Sequence, residues 1–217
     1  MVGIIMVLNE RKTFMKIYLD SANLEAIAKY KGLVDGITTN PLIMAKEGKK
    51  QEEHLPKICS LVPTLPVSAE VVYAISTEQI CDEARILAGL ASNIIVKIPG
   101  NMAGLMAIRI LKSEMKLNIT GLMTFKQLAF ASLLGADYVS QFFCRAKDAG
   151  IDSVREINLG KLKAKIIVGS LRTPKDVEEA LLTNADILTI NPDLLEKSFT
   201  HLKTQASIDE FTKAYEA

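Results

Sequence analysis

The chain has 217 residues, enough for one domain with a sizeable apolar core or for two small ones, and it sets 26 Lys and Arg against 25 Asp and Glu. So even a balance argues against a non-specific nucleic-acid binder or a polybasic membrane protein. Three cysteines, Cys59, Cys81 and Cys144, have no CxxC spacing and cannot all pair, which points to reduced thiols in a cytoplasmic protein.

The opening run "MVGIIMVLNERKTF" is too short to span a bilayer and lacks a small-residue cleavage site. Because Met15 opens "MKIYLD", residues 1–14 are expected to be an extension outside the fold, and residues 15–217 a single domain. From there short β-rich runs alternate with amphipathic ones. "KIYLD" (16–20) precedes a helix that Ser21 or Asn23 can cap, and "VDGITTN" (34–40) stops at Pro41 before a helical stretch around 50–61. "PVSAEVV" (66–72) leads into a helix at 77–90, "NIIVKIP" (93–99) into 102–115, and "KLNITGLM" (116–123) into 124–134. "DYVSQFFC" (137–144) is followed by a weaker helix at 150–160. "KIIVGS" (165–170) is followed by one that Thr173 and Pro174 open as N-cap and N1. "DILTIN" (186–191) comes last, with helices near 192–199 and 207–217.

That pattern gives eight βα units. "LLGADYVS" and "LLTNADILTI" echo one another, each ending a helix at Gly or Asn, residues that tolerate the left-handed conformation, before Ala-Asp enters a strand. Strands apolar on both faces belong to a parallel sheet covered by helices. The expected fold is therefore an α/β (β/α)8 TIM barrel with an additional C-terminal helix. An open doubly wound sheet is the competitor, but no Gly-rich phosphate fingerprint follows the first strand.

Side chains alternate across a strand. If Lys97 points inward, so do Ile95 and Asn93, while Ile94, Val96 and Ile98 face the helices. Near the C-terminal ends of other strands stand Asp20, Thr38 and Asn40, Glu70, Asn118 and Thr120, Ser140, and Ser170 with Arg172. Each has a structural alternative: Asp20 or Asn40 as a helix cap, Glu70 as a structural pair, Lys97 as an edge or snorkelling lysine, Ser-x-Arg as surface decoration. Those alternatives weaken together, because many independent strands would have to err toward one rim. Burial disfavours the Lys97 ammonium, and a neutral amine can attack a carbonyl to give an iminium, an electron sink for an adjacent C–C bond. Asp20 is the candidate for moving a substrate hydroxyl proton, Glu70 and Thr120 for holding a water. Asn40 and Asn118 offer amides to sugar hydroxyls, and Ser170, Arg172 and Arg145 form a candidate phosphate clamp.

Together "KIYLDSAN", "VDGITTNPLIMAKEG", "VSAEVV", "IIVKIPGNMAGLMAI", "LNIT", "YVSQFFCR" and "IIVGSLRTP" resemble the transaldolase family, in its short branch that also contains the fructose-6-phosphate aldolases. The resemblance implies a Schiff base on Lys97, acid/base work by Asp20 and water contacts from Glu70 and Thr120. It puts the substrate against Asn40 and Asn118, with phosphate held by Arg145, Ser170 and Arg172. It implies no metal or organic cofactor, sugar-phosphate substrates, no nucleic acid or membrane partner, and a homo-oligomer (pentamer or decamer) reached by the helix at 207–217. Aldolase members typically carry Gln at the position of Glu70 and Tyr at that of Phe142, so this pair favours transfer of dihydroxyacetone over its release. Departures from the family pattern are Asn101, Gly121, Gln141, Phe143 and Cys144. Phe143 is expected to point outward, and Cys144 to bear on the phosphate site beside Arg145.

The expected activity is that of a cytoplasmic transaldolase of the pentose phosphate pathway, passing a dihydroxyacetone unit from sedoheptulose 7-phosphate or fructose 6-phosphate to an aldose phosphate. Alternatives are an aldolase that uses free dihydroxyacetone, a related sugar-phosphate aldolase, and a non-catalytic sugar-phosphate binder.

Overall fold

The computed structural model describes residues 14–73 and 75–216, so the expected extension lies, except for Phe14, outside the described residues. β1 (Lys16–Asp20) is followed by α1 (Leu24–Tyr30), β2 (Gly36–Thr38) by α2 (Pro41–Lys46) and α3 (Gln51–Leu61), and β3 (Val67–Glu70) by α4 (Thr77–Gly89). β4 (Ile94–Pro99) leads to α5 (Met102–Leu111), β5 (Leu117–Leu122) to α6 (Phe125–Leu134), and β6 (Tyr138–Phe142) to α7 (Phe143–Asp148) and α8 (Ser153–Asn158). β7 (Lys165–Gly169) precedes α9 (Pro174–Leu181), and β8 (Ile187–Ile190) precedes α10 (Pro192–Phe199) and α11 (Leu202–Glu216). Every neighbouring pair is parallel, and β8 pairs with β1. The sheet is a closed eight-stranded barrel with surrounding helices, a (β/α)8 fold, and not an open sheet.

Alternation builds two cores. Outward residues such as Leu19, Ile37, Val96, Ile98, Ile119, Val139 and Leu188 are buried against the helices. Inward, Tyr18, Ile167, Ile187 and Tyr138 plug the N-terminal half of the barrel. The Tyr18 ring lies over Gly36, where a Cβ would come within 2.6 Å of it. With the lower half filled, the upper half is left for polar side chains.

The register is pinned at the bottom. Asp35, Asp137 and Asp186 each accept, through Oδ2, the backbone N–H of Ile17, Leu117 and Ile166 on the preceding strand, at 3.0, 3.0 and 2.7 Å. This is the physical content of the Ala-Asp echo. Its helix-end half holds only once: Gly135 is left-handed, whereas α9 ends at Leu182 in the right-handed region and Asn184 does not take a positive φ.

Three further readings change. Asn93 precedes β4 and does not point into the barrel; its amide donates to the Val62 and Leu65 carbonyls and ties the α3–β3 turn. α2 opens at Pro41, capped by Asn40, so the chain is helical before the expected stretch near 50. α7 begins at Phe143, where the sixth strand was expected to run on to Cys144; it has no side-chain cap to announce it. Phe143 does turn outward, fully buried.

Candidate active site

The C-terminal strand ends surround a cavity of about 140 Å³, lined by Asp20, Thr38, Asn40, Lys97, Thr120, Ser140, Phe142, Arg145 and Ser170 among others. β4 carries Lys97 at the level of Glu70 on β3 and Asn118 on β5, which are its direct neighbours in the ladder. Asn101 caps the helix that follows, and Gly104 lets that helix sit on the strand: a Cβ there would lie 2.0 Å from the Pro99 carbonyl oxygen.

Lys97 is buried, at 6 % exposure. Its Nζ donates to the Thr39 carbonyl at 2.9 Å and lies 3.0 Å from Glu70 Oε2. The Glu70 contact is an ion pair by distance but lacks hydrogen-bond alignment, since Oε2 makes no hydrogen bond within the described residues. Gln51 at the start of α3 fixes the Glu70 backbone, donating to its carbonyl at 3.0 Å. From the same helix the buried His54 Nε2 contacts the Ala22 carbonyl at 2.7 Å, bracing the loop after Asp20.

Asp20 keeps some surface in the cavity but is walled in by the barrel. That desolvation pushes its carboxyl above the usual carboxylate range, against the opposing pull of Lys97 and of the Thr38 hydroxyl. Thr38 Oγ1 donates to Asp20 Oδ1 at 2.7 Å, and it also contacts Thr189 Oγ1. A hydroxyl has one proton to give, so Thr189 is the donor to Thr38. The relay occupies Asp20 Oδ1 and leaves Oδ2 for a substrate. Thr189 on β8 completes the ring of polar strand ends and was not singled out from sequence, although the inward parity of Ile187 would have found it.

Asn118 accepts the Ser140 hydroxyl at 2.7 Å through Oδ1, while its Nδ2, Thr120 Oγ1 and Ser68 Oγ are buried and make no hydrogen bond within the described residues. Buried polar groups are normally paired, so this unused capacity marks the places where water or substrate would bind. Asn40 lines the cavity while its Oδ1 caps α2, which realises the structural alternative without removing its amide N–H groups.

The cationic side of the mouth is divided. Arg145 lies over the Phe142 ring, 4.7 Å from its centroid, and forms no ion pair among the described residues. Ser170 lines the cavity with φ +63. That left-handed residue breaks the parity count, so Arg172 does not share its face. The Arg172 guanidinium lies outside the lining and forks onto Asp148 at 2.9 and 2.6 Å. Cys144 is buried off the cavity, its thiol pushed up to about 11 by burial and by Asp176.

A closed barrel whose C-terminal rim gathers a buried lysine, two carboxylates and an arginine with no ion pair among the described residues belongs to the (β/α)8 proteins with an ionisable pocket at the strand ends. The chain belongs to the Transaldolase/Fructose-6-phosphate aldolase family, whose profile matches residues 17–217. It is 43% identical over 213 residues to probable transaldolase 2 of Listeria monocytogenes, covering 94% of this chain and 97% of that one. It is 40% identical over 213 residues to the probable transaldolase of Methanococcus maripaludis strain C7, covering 94% and 98%. The crystal structure of inosine 5'-monophosphate dehydrogenase from Legionella pneumophila shares the fold, with TM-score 0.57 and 14% identity over 82% of this chain and 58% of that chain. Among the described residues no helix is long and apolar enough to cross a membrane, and no three His, Cys, Asp or Glu are grouped to hold a metal ion.

Proposed function

We propose that the protein is a transaldolase that carries a dihydroxyacetone unit on Lys97. The observation that carries this reading is the buried Lys97 Nζ at the mouth, 3.0 Å from a Glu70 oxygen that makes no hydrogen bond within the described residues. Glu70 takes the ammonium proton, and the free amine then attacks the ketose carbonyl. Loss of water from the carbinolamine gives the iminium. Asp20 Oδ2 takes the C4 hydroxyl proton as the C3–C4 bond breaks, and the bonding pair flows into the iminium to leave an enamine. The aldose departs. The enamine attacks an acceptor aldehyde, Asp20 returns the proton, and a water held by Glu70 and Thr120 releases the product. Asn40, Asn118 and Ser140 meet the sugar hydroxyls. The Glu70 carboxylate and the phenyl ring of Phe142 favour transfer over release of free dihydroxyacetone. Three buried, unpaired thiols accord with a reducing cytoplasm.

The test follows fructose 6-phosphate turnover with and without erythrose 4-phosphate. Turnover that requires the acceptor supports a transaldolase; free dihydroxyacetone released at the same rate without it would identify an aldolase.

In this reading Arg145 and Ser170, which line the cavity, meet the substrate phosphate, whereas Arg172 must first leave Asp148. That pair is exposed on both sides, and exposed pairs are worth at most about 1 kcal/mol. Arg145→Ala therefore raises KM for phosphorylated substrates by about 10- to 100-fold, the loss of a charge-assisted contact of roughly 1.5–3 kcal/mol. Arg172→Ala raises it less, and Asp148→Asn lowers it. Initial-rate kinetics on the three variants checks the order.

α11 buries none of its residues against the described chain, and Ile208, Phe211 and Tyr215 on it are 50%, 71% and 93% exposed. A helix of 15 residues is marginal alone in water, so we assign it to a neighbouring copy in a homo-oligomer. Removing residues 202–217 shifts the sedimenting species to a smaller size.

A further inference from the structure

We propose that Gly121 is a positioning residue: its left-handed bulge keeps Leu122 out of the mouth and so clears the space in front of the Thr120 hydroxyl. The inference rests on the role given above to Thr120. On β5 the outward residues Leu117 and Ile119 lie in the core beneath the helices, and Asn118 and Thr120 lie inside. Strict alternation would send Leu122 inward, beside Thr120. Leu122 instead joins Leu117 and Ile119 in the outer core at 1 % exposure. Its Cδ2 occupies the space a Cβ on Gly100 would need, 2.2 Å away.

The change of phase falls on Gly121. Pairing with β6 moves from Ile119↔Val139 to Leu122↔Gln141, so three steps on β5 match two on β6. Gly121 has φ +77, and a Cβ there would meet nothing within 4 Å. Backbone conformation, not space, is what requires glycine. Two bonds hold the bulge from either side: Gly100 N–H donates to the Thr120 carbonyl at 2.8 Å, and Gln141 Nε2 donates to the Met123 carbonyl at 3.1 Å. Without the bulge the leucine side chain enters a polar mouth beside Thr120 and takes the place of the water that the Thr120 hydroxyl is there to hold.

The test compares Gly121→Val, which cannot hold a left-handed φ, with Gly121→Asn, which tolerates it. The valine variant loses about 100-fold in kcat with KM little changed, the loss typical of an ångström-scale misplacement. The asparagine variant stays within about threefold of the parent, as a residue that keeps the geometry should. In a Thr120→Ala background the valine substitution costs less than it does alone. If valine does not fold, Gly121→Ala against Gly121→Asn makes the same comparison. Methyl NMR reads the geometry without turnover: Leu122 keeps its contact with Gly100 in the parent and the asparagine variant and loses it in the valine or alanine one. Equal kcat in the two substitutions, or an unmoved Leu122 methyl, overturns the inference. A parent protein without transferase turnover would overturn the functional reading instead, and the NMR comparison still decides the bulge.

Discussion

Lys97→Met lowers turnover by at least about 10⁴-fold, because the covalent step has no other nucleophile and losses of this order follow removal of one. Stability falls as well. The substitution strands the Glu70 carboxylate, which is 17% exposed and sits 3.0 Å from the lysine nitrogen. Breaking a buried pair from one side costs about 3–5 kcal/mol, and the residual exposure of Glu70 puts the expected loss toward the lower end. The two effects separate in the Glu70→Gln background. There Lys97→Met regains most of the stability and none of the turnover, as thermal unfolding and rate assays on the same preparations show.

Asp20→Asn has the second largest effect, a loss of about 10²–10⁴ in kcat, the usual worth of a positioned general base. Its stability moves the other way. Burial holds the Asp20 carboxyl above its ordinary range, so the folded protein binds that proton more tightly than the unfolded chain does. Keeping the group ionised therefore opposes folding at all pH values above the raised folded value. The penalty fades as the pH falls through that value toward the ordinary aspartate value, about 4. An amide removes it, and Asp20→Asn is expected to melt higher than the parent at neutral pH while its turnover falls. The same shift sets the acid limb of kcat/KM. Only the carboxylate accepts the C4 hydroxyl proton, so activity falls with decreasing pH earlier than an ordinary aspartate would allow. A kcat/KM profile whose acid limb lies in the usual carboxylate range would show that another group carries the proton.

The ring of strand ends was legible because parity is a local property. Counting by two from Lys97 puts Ile95 inside and Val96 and Ile98 outside, and the ladder places Glu70 and Asn118 beside the lysine. Sequence reading failed where parity fails. Ser170 turns left-handed, so Arg172 leaves the face it was counted on and meets Asp148. Gly121 likewise shifts the phase within β5 and puts Leu122 in the outer core, a position for which the sequence reading gave no direction. Thr189 stayed hidden for a different reason: threonine is a good strand former, and in "ILTI" it reads as filler until the Thr38 and Asp20 hydroxyl relay is seen. α7 had no cap residue to mark its start, while α9, with Thr173 and Pro174, matched its expected opening. Long-range ties such as His54 to Ala22 and Gln51 to Glu70 carry no local signal, since nothing in α3 announces which strand ends it will brace.

The most direct measurement is borohydride reduction of the protein in the presence of fructose 6-phosphate, followed by peptide mapping. One stable dihydroxyacetone-derived adduct is expected, on the peptide that contains Lys97, absent from Lys97→Met and formed more slowly in Asp20→Asn. An adduct on a different lysine, or none on a protein that turns over, would contradict it.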